Sequence, residues 1–298
     1  MSNLFWPIYK KLEMELLSIT SHIRFDDNQL KVYSDGFLDI LFRTSVEIEA
    51  IAKELYLNNG GTAITPENEM YFDTVCLDFL EKKWKLSERV VLISSINFYF
   101  EKEENKTITP LKKANKRGTS GSKWKQAYQA AKHNRSENFK VGNMKNCIDA
   151  LAALYILNIY YKDETFKLGP REINGFDQTL GSDIFSILVN KGNSFNGVLK
   201  EDTSATYCIN YTQDFIEKWK EKQAILNKIT YDQIINDKKI ANALDNGTIL
   251  IQEIGDISKI QEIIGVDSVT EYIQNAAIKT NLNQFVAERE YCAYTNKL

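Results

Sequence analysis

Residues 143–162 read NMKNCIDALAALYILNIYYK, and the reading of this stretch decides the fold. From Cys147 to Tyr161 it is the most apolar run in the chain. It falls short of the ~20 residues a bilayer crossing needs, and Asp149 and Asn158 lie inside it. It therefore reads as a buried helix, with Asn143 as its cap.

Working outward toward the N-terminus, helical periodicity continues. Pro7 suits a first turn, and Tyr9, Leu12, Leu16 and Leu17 repeat at helical spacing behind it. The spacing of Leu38, Leu41, Ile48, Ile51, Ala52 and Leu55 predicts a helix over 35–57, stopped by Asn58, Asn59, Gly60 and Gly61. A third helix is expected from Thr65, with Pro66 at its first position, to about Trp84. The β-branched and aromatic run Val90–Phe100, the polar EKEENKT and the apolar Ile108–Leu111 then predict a two-stranded hairpin near 89–111. A Gly/Ser/Lys loop over 112–123 leads into a helix over 122–133.

Beyond Lys162 the texture changes. Residues 163–205 are rich in glycine breakers, 206–211 suits a strand, and 213–229 suits an amphipathic helix. A helix over 231–245, an alternating strand over 248–254 and short helices to the C-terminus complete the expectation. The fold class is thus mainly α: a helical bundle over 1–162 with an inserted β-hairpin, followed by a smaller α+β part over 163–298. The boundary near 163 is soft, and a core shared across it is compatible with the pattern.

Composition narrows the function. The 298 residues carry a formal charge of −3, 43% hydrophobic and 26% charged residues, as a soluble globular protein does. Cys76, Cys147, Cys208 and Cys292 are widely spaced, with no CxxC pair, so neither a metal site nor a disulfide framework is expected. The N-terminus has early acids and no small-residue cleavage site, which suits a cytoplasmic protein rather than a secreted one.

One stretch departs from the acidic background. Lys112, Lys113, Lys116, Arg117, Lys123, Lys125, Lys132, Arg135, Lys140 and Lys145 fall between 111 and 145, against the single acid Glu137. Such clustering is what a phosphate-bearing partner requires, and a glycine-rich loop entering a helix offers backbone N–H groups to an anion. GTSGSKWK has neither the spacing nor the final hydroxyl of a nucleotide-hydrolysing phosphate loop. His133, one of only two histidines, sits inside this stretch. The helix C-terminus favours its protonated form, while Lys132 and Arg135 oppose it. An imidazole so balanced suits general acid–base work. His22 reads as an ordinary helix-end residue. Trp124 and Tyr128, four apart, read as core ahead of base-stacking residues. Arg43 with Glu47 and Glu49 with Lys53 have i,i+4 spacing, which surface ion pairs of about 0.3–0.5 kcal/mol explain.

The segment RTSVEIEAIAKEL at 43–55, the Trp-led helix ending in KHNR at 132–135 and the apolar NCIDALAALYILNIYY at 146–161 resemble the bacterial HEPN superfamily over about 1–162. That resemblance implies a dimeric helical bundle of toxin or phage-defence type whose active members cut RNA without metal, through 2′-hydroxyl transesterification. Those members carry Arg-x4-6-His; here no arginine stands four to six residues before His133, and Arg135 follows it instead. Carried over, His133 becomes the base and Arg135 the phosphate clamp. Lys132 and Asn134 support them. The basic stretch itself adds Lys123, Lys125 and Arg117 as substrate contacts, and the polar Asp149 and Asn146 of the apolar helix, with Glu47, are the groups expected to orient the motif. The expected partners are RNA, a second copy of the chain and a protein docking on 163–298, with no membrane and no cofactor. The alternative is a non-catalytic interaction or dimerisation protein whose basic motif is structural.

Overall fold

The computed structural model describes residues 4–63, 70–192 and 197–297. Its architecture is mainly α with small sheets. Helices α1 (Phe5–Ile19) and α2 (Asp35–Asn58) open the bundle. Ser34 caps α2 by accepting the Phe37 N–H at 3.2 Å. The stretch Phe72–Leu77 forms a wide turn in which Cys76 N–H reaches Tyr71 O at 3.1 Å, one residue further back than an α-helix allows. Helix α3 (Asp78–Trp84) continues from it. The expected start of this helix at 65 lies outside the described residues. A single turn, α4 (Glu103–Lys106), precedes α5 (Lys123–His133) and α6 (Met144–Lys162).

Helix α6 is the axis of the core. Asn143 caps it by accepting the Asn146 N–H at 3.0 Å, and its residues are buried on every side from Ala150 to Tyr160. Helix α2 packs along it, and α1 and α5 lean on other faces. Burying each large aliphatic side chain here is worth about 1.5–3 kcal/mol. None of the helices over the described residues is long and apolar enough to cross a membrane.

The strands correct two expectations. The hairpin near 89–111 exists only as two pairs: β2 (Val91–Ile93) meets β4 (Thr107–Ile108) through Val91↔Ile108 and Leu92↔Thr107. The aromatic half, β3 (Phe98–Tyr99), instead pairs parallel with β1 (Phe25–Asp26). Phe98 and Phe100 are buried, with the Phe98 ring 4.8 Å from Phe25, and the Asp27 carboxylate accepts the N–H of Glu101 and Lys102 at 2.9 and 3.1 Å. That side chain holds the strand away from a long hairpin. The free edge of β2 takes β6 (Phe185–Ile187) from the C-terminal half.

A second sheet has the order β5 (Phe166–Leu168), β9 (Tyr291–Thr295), β8 (Tyr207–Tyr211) and β7 (Val189–Lys191). β9 was not expected; it threads between β5 and β8 and returns the chain terminus to the core. One hydrophobic core therefore runs through the soft boundary near residue 163, taking in Phe185, Tyr207, Phe215 and Ala293. Arg89 is fully buried there, donating to the carbonyls of Trp84, Thr203, Ala205 and Asn296 at 2.7–3.0 Å.

Helices α7 (Gln213–Ile235), α8 (Lys238–Asp245), α9 (Ile257–Ile264), α10 (Val266–Lys279) and α11 (Leu282–Ala287) complete the fold. A second small core of Ile234, Ile240, Ile249, Ile254, Ile260 and Ile264 lies among them. The strand expected over 248–254 is absent. Ile249 and Ile254 both face this core from a tight turn at Ile251–Glu253, while Ile251 points to solvent.

Candidate functional site

The basic loop before α5 is shaped by two glycines. Gly118 has φ +58°, a conformation glycine adopts without strain. At Gly121 a Cβ would lie 2.9 Å from the Lys116 carbonyl oxygen and 3.1 Å from the Lys125 side chain. The loop must close tightly there because Lys125 passes beneath it. The ammonium of Lys125 is buried, donating to Asp73 Oδ2 at 3.1 Å, to Ala114 O at 2.8 Å and to Lys116 O. Arg117 donates to the same carboxylate at 3.0 Å and lies 3.9 Å over the Tyr71 ring.

Asp73 thus binds two cations of the basic stretch. Burial pushes its carboxyl upward, but the Thr74 N–H, Lys125 and Arg117 outweigh that and hold it below the usual carboxylate range. Burial also depresses Lys125, with Asp73 partly offsetting the effect. Sequence reading missed Asp73 altogether, since its partners lie more than forty residues away.

The loop stands between two clefts, and Thr119 and Gln126 line both. The larger, about 700 Å³, holds Tyr71, Asp73, Arg117, Lys125 and the exposed Lys132, and Asp73 binds the first two of these three cations. The other, about 420 Å³, opens at the start of α5 between β4 and α6. Its charged residues are Lys112, Lys113, Lys123, Lys145, Glu104 and Asp149. Lys145 donates to Asp149 at 2.8 Å. Burial raises the Asp149 carboxyl and Lys145 opposes that rise. Four ammonium groups against two carboxylates leave two positive charges uncompensated.

The expected site residues divide among these surroundings. Lys123 is exposed in the smaller cleft; Lys125 is buried on Asp73, which corrects the expectation that it contacts substrate, while Arg117 bonds the same carboxylate through Nε and stays half-exposed. Asp149 pairs with Lys145, and Asn146 donates to Val141 O at 2.9 Å, so neither orients His133. Glu47 sits with Ile8, Phe42 and Arg43 around a cavity of about 220 Å³ between α1 and α2, its carboxyl raised by burial. It is not paired with the motif, and Arg43 bonds Asp39 and Glu15 instead of Glu47. The i,i+4 geometry favoured both pairings, and the carboxylate of α1 decided between them.

Lys132, His133, Asn134 and Arg135 are all exposed at the end of α5. Lys132 lies 5.3 Å over the Tyr128 ring, Asn134 Oδ1 accepts from Ser136 at 3.0 Å, and Arg135 comes within 3.8 Å of Asp35 at the surface. No hydrogen bond or ion pair to the His133 imidazole occurs among the described residues. Trp124 and Tyr128 are core, as expected: Trp124 donates to Pro110 O at 2.9 Å, and Tyr128 packs edge-on against Phe42. All four cysteines are free thiols.

Comparison with protein-family models, with characterised proteins and with solved structures finds no match for this chain.

Proposed function

We propose that the chain binds RNA through its phosphates, as a HEPN-like protein of bacterial defence or toxin type. One observation carries the reading: the open cleft at the start of α5 keeps two positive charges uncompensated inside an acidic protein. The exposed Lys132 lines the larger cleft on the other side of the loop, and Arg135 is exposed beyond it at the end of α5. A strand lying along α5 would meet both, and each phosphate neutralised would release counterions.

RNA binding stands ahead of RNA cleavage in this proposal. A catalytic base works best when a second group orients it, and His133 has none among the described residues. If the chain cuts RNA, the missing group comes from a second copy across a two-fold axis. The non-catalytic alternative draws on a specific observation too, since Asp73 ties Lys125, buried, and Arg117 to the fold.

The test is RNA binding by fluorescence anisotropy across a salt series, beside Lys112→Ala/Lys113→Ala/Lys123→Ala. The triple variant is expected to lower the slope of log affinity against log salt by about 2, near 0.7 per phosphate contact on a single strand. Equal slopes would remove the cleft from the reading. A parallel incubation of labelled RNA in EDTA, with His133→Ala as control, decides cleavage. Cutting that vanishes in the variant makes His133 the base, and intact RNA in both leaves a binding protein.

A further inference from the structure

We propose that the floor of the α5 cleft is a binding site for a phosphate monoester dianion, which is either the terminal phosphate of an RNA strand or that of a free nucleotide. This rests on the reading of the same cleft as a phosphate site, and it names the form of phosphate bound. Three observations converge on it.

The first is the helix start. The first bond of α5 runs from Gln126 N–H to Ser122 O at 3.0 Å, and no acceptor meets the backbone N–H of Lys123, Trp124 or Lys125 among the described residues. Those three donors, with the partial positive charge of an eleven-residue helix, form an anion cradle. The second is Ser122. As the residue before the helix, its hydroxyl would ordinarily accept one of these N–H groups, yet it makes no capping bond. Ser122 is 8% exposed, lines the cleft, and its Oγ has no partner. That oxygen is shielded from solvent in the free chain; a hydroxyl buried open in this way costs stability, and turning toward the cleft would give it a phosphate oxygen as acceptor.

The third is the charge. A phosphodiester carries one negative charge, whereas a monoester carries close to two at neutral pH. The cleft has two positive charges in excess, from Lys112, Lys113, Lys123 and Lys145 over Glu104 and Asp149. That excess matches the monoester. Its volume of about 420 Å³ admits a phosphate with a nucleoside behind it. The lysines lie on separate segments, before the loop, on α5 and on α6, so they surround the anion instead of facing it from one side.

The experiment uses the full chain and a short labelled RNA with a phosphate at the 5′ end, at the 3′ end, or at neither. Calorimetry with adenosine 5′-monophosphate against adenosine runs beside it. One phosphorylated strand is expected to bind about tenfold tighter than the bare strand. Ser122→Ala should abolish most of that preference, leave the bare-strand affinity unchanged and hold or raise the Tm, because it removes a buried hydroxyl that bonds nothing in the free protein. Lys123→Glu, at an exposed position, should abolish the preference as well. Tight binding of the monophosphate without any RNA binding would sustain the site, make the free nucleotide its source, and overturn the RNA reading. Equal binding of all three strands would overturn the monoester site while leaving RNA binding in place. A preference that survives both variants would also overturn it, by placing the phosphate elsewhere. Silence toward every ligand would overturn both proposals.

Discussion

The two sides of the loop at 117–126 use the same residue types for opposite ends. On one side Arg117 and Lys125 converge on Asp73, and the cations are spent on holding the loop to the turn at 72–77. On the other side Lys112, Lys113, Lys123 and Lys145 outnumber their carboxylates and face open space. Lysine in a basic run is therefore not one signal. What separates the two uses is a carboxylate brought in from a distant segment, so the partner rather than local charge density marks which cations are free to meet a ligand.

The sharpest way to break this comparison is Asp73→Ala. It leaves the Lys125 ammonium buried with carbonyls alone, and losing one partner of a buried pair costs about 3–5 kcal/mol. Urea denaturation should show that loss, while Lys112→Ala/Lys113→Ala/Lys123→Ala should stay within about 0.5 kcal/mol of the wild type. Similar losses in both would mean that the two sides do not differ. The acid limb adds a second readout. Because the Asp73 carboxyl is lowered in the fold, the unfolded chain binds more protons, so stability rises with pH through this window. The contribution is present above the ordinary carboxylate pKa, about 3.9, and is lost as pH falls through the lower folded value. Asp73→Ala should show a flatter stability profile there.

A smaller effect is expected at the loop's closure. Gly121→Ala would push a methyl against the Lys116 carbonyl, 2.9 Å away, and overpacking of that kind costs about 1–3 kcal/mol. The strain falls on the wall between the clefts, so phosphate binding should weaken together with Tm. Unchanged values of both would show that the wall gives freely.

The bundle was readable in sequence because its signals are local. Asn58–Gly61 ended α2 within a residue of its observed end, and Asn143 marked the start of α6. The hairpin failed because Asp27, more than seventy residues away, captures the chain after β3. β9 stayed hidden because its pairing with β5 and β8 depends on strands far from it in sequence. The site divides in the same way. Lys123 and the end of α5 at 132–135 lie at the two ends of the helix expected over 122–133, and they are exposed. That Lys125 is buried follows only once Asp73 is in place. Ser122 had a legible signal, a hydroxyl residue before a helix and behind a glycine loop, but its lack of a capping bond is visible only in three dimensions. Lys145 and Asp149 had i,i+4 spacing, and that spacing, not proximity to His133, decided the partner of Asp149.

The smallest expected effect is also the one that tests the open side most directly. Asp149→Asn takes away one of the two carboxylates of the smaller cleft without changing side-chain size. Burial raises the carboxyl, so its charge is less favoured there than in water, and an amide still offers Lys145 an acceptor. Stability should change by less than about 1 kcal/mol. Affinity for RNA without a terminal phosphate should rise about two- to fivefold at neutral pH, since the lysines then face one fewer compensating charge through a partly screened medium. The diesters stay ionised on acidification, while wild-type Asp149 takes up a proton at a higher pH than an ordinary carboxylate does. The wild type should therefore converge on the variant as pH falls. A variant no tighter than the wild type at neutral pH would mean that the ligand does not enter by this cleft, and the distinction between spent and free cations would lose its functional half.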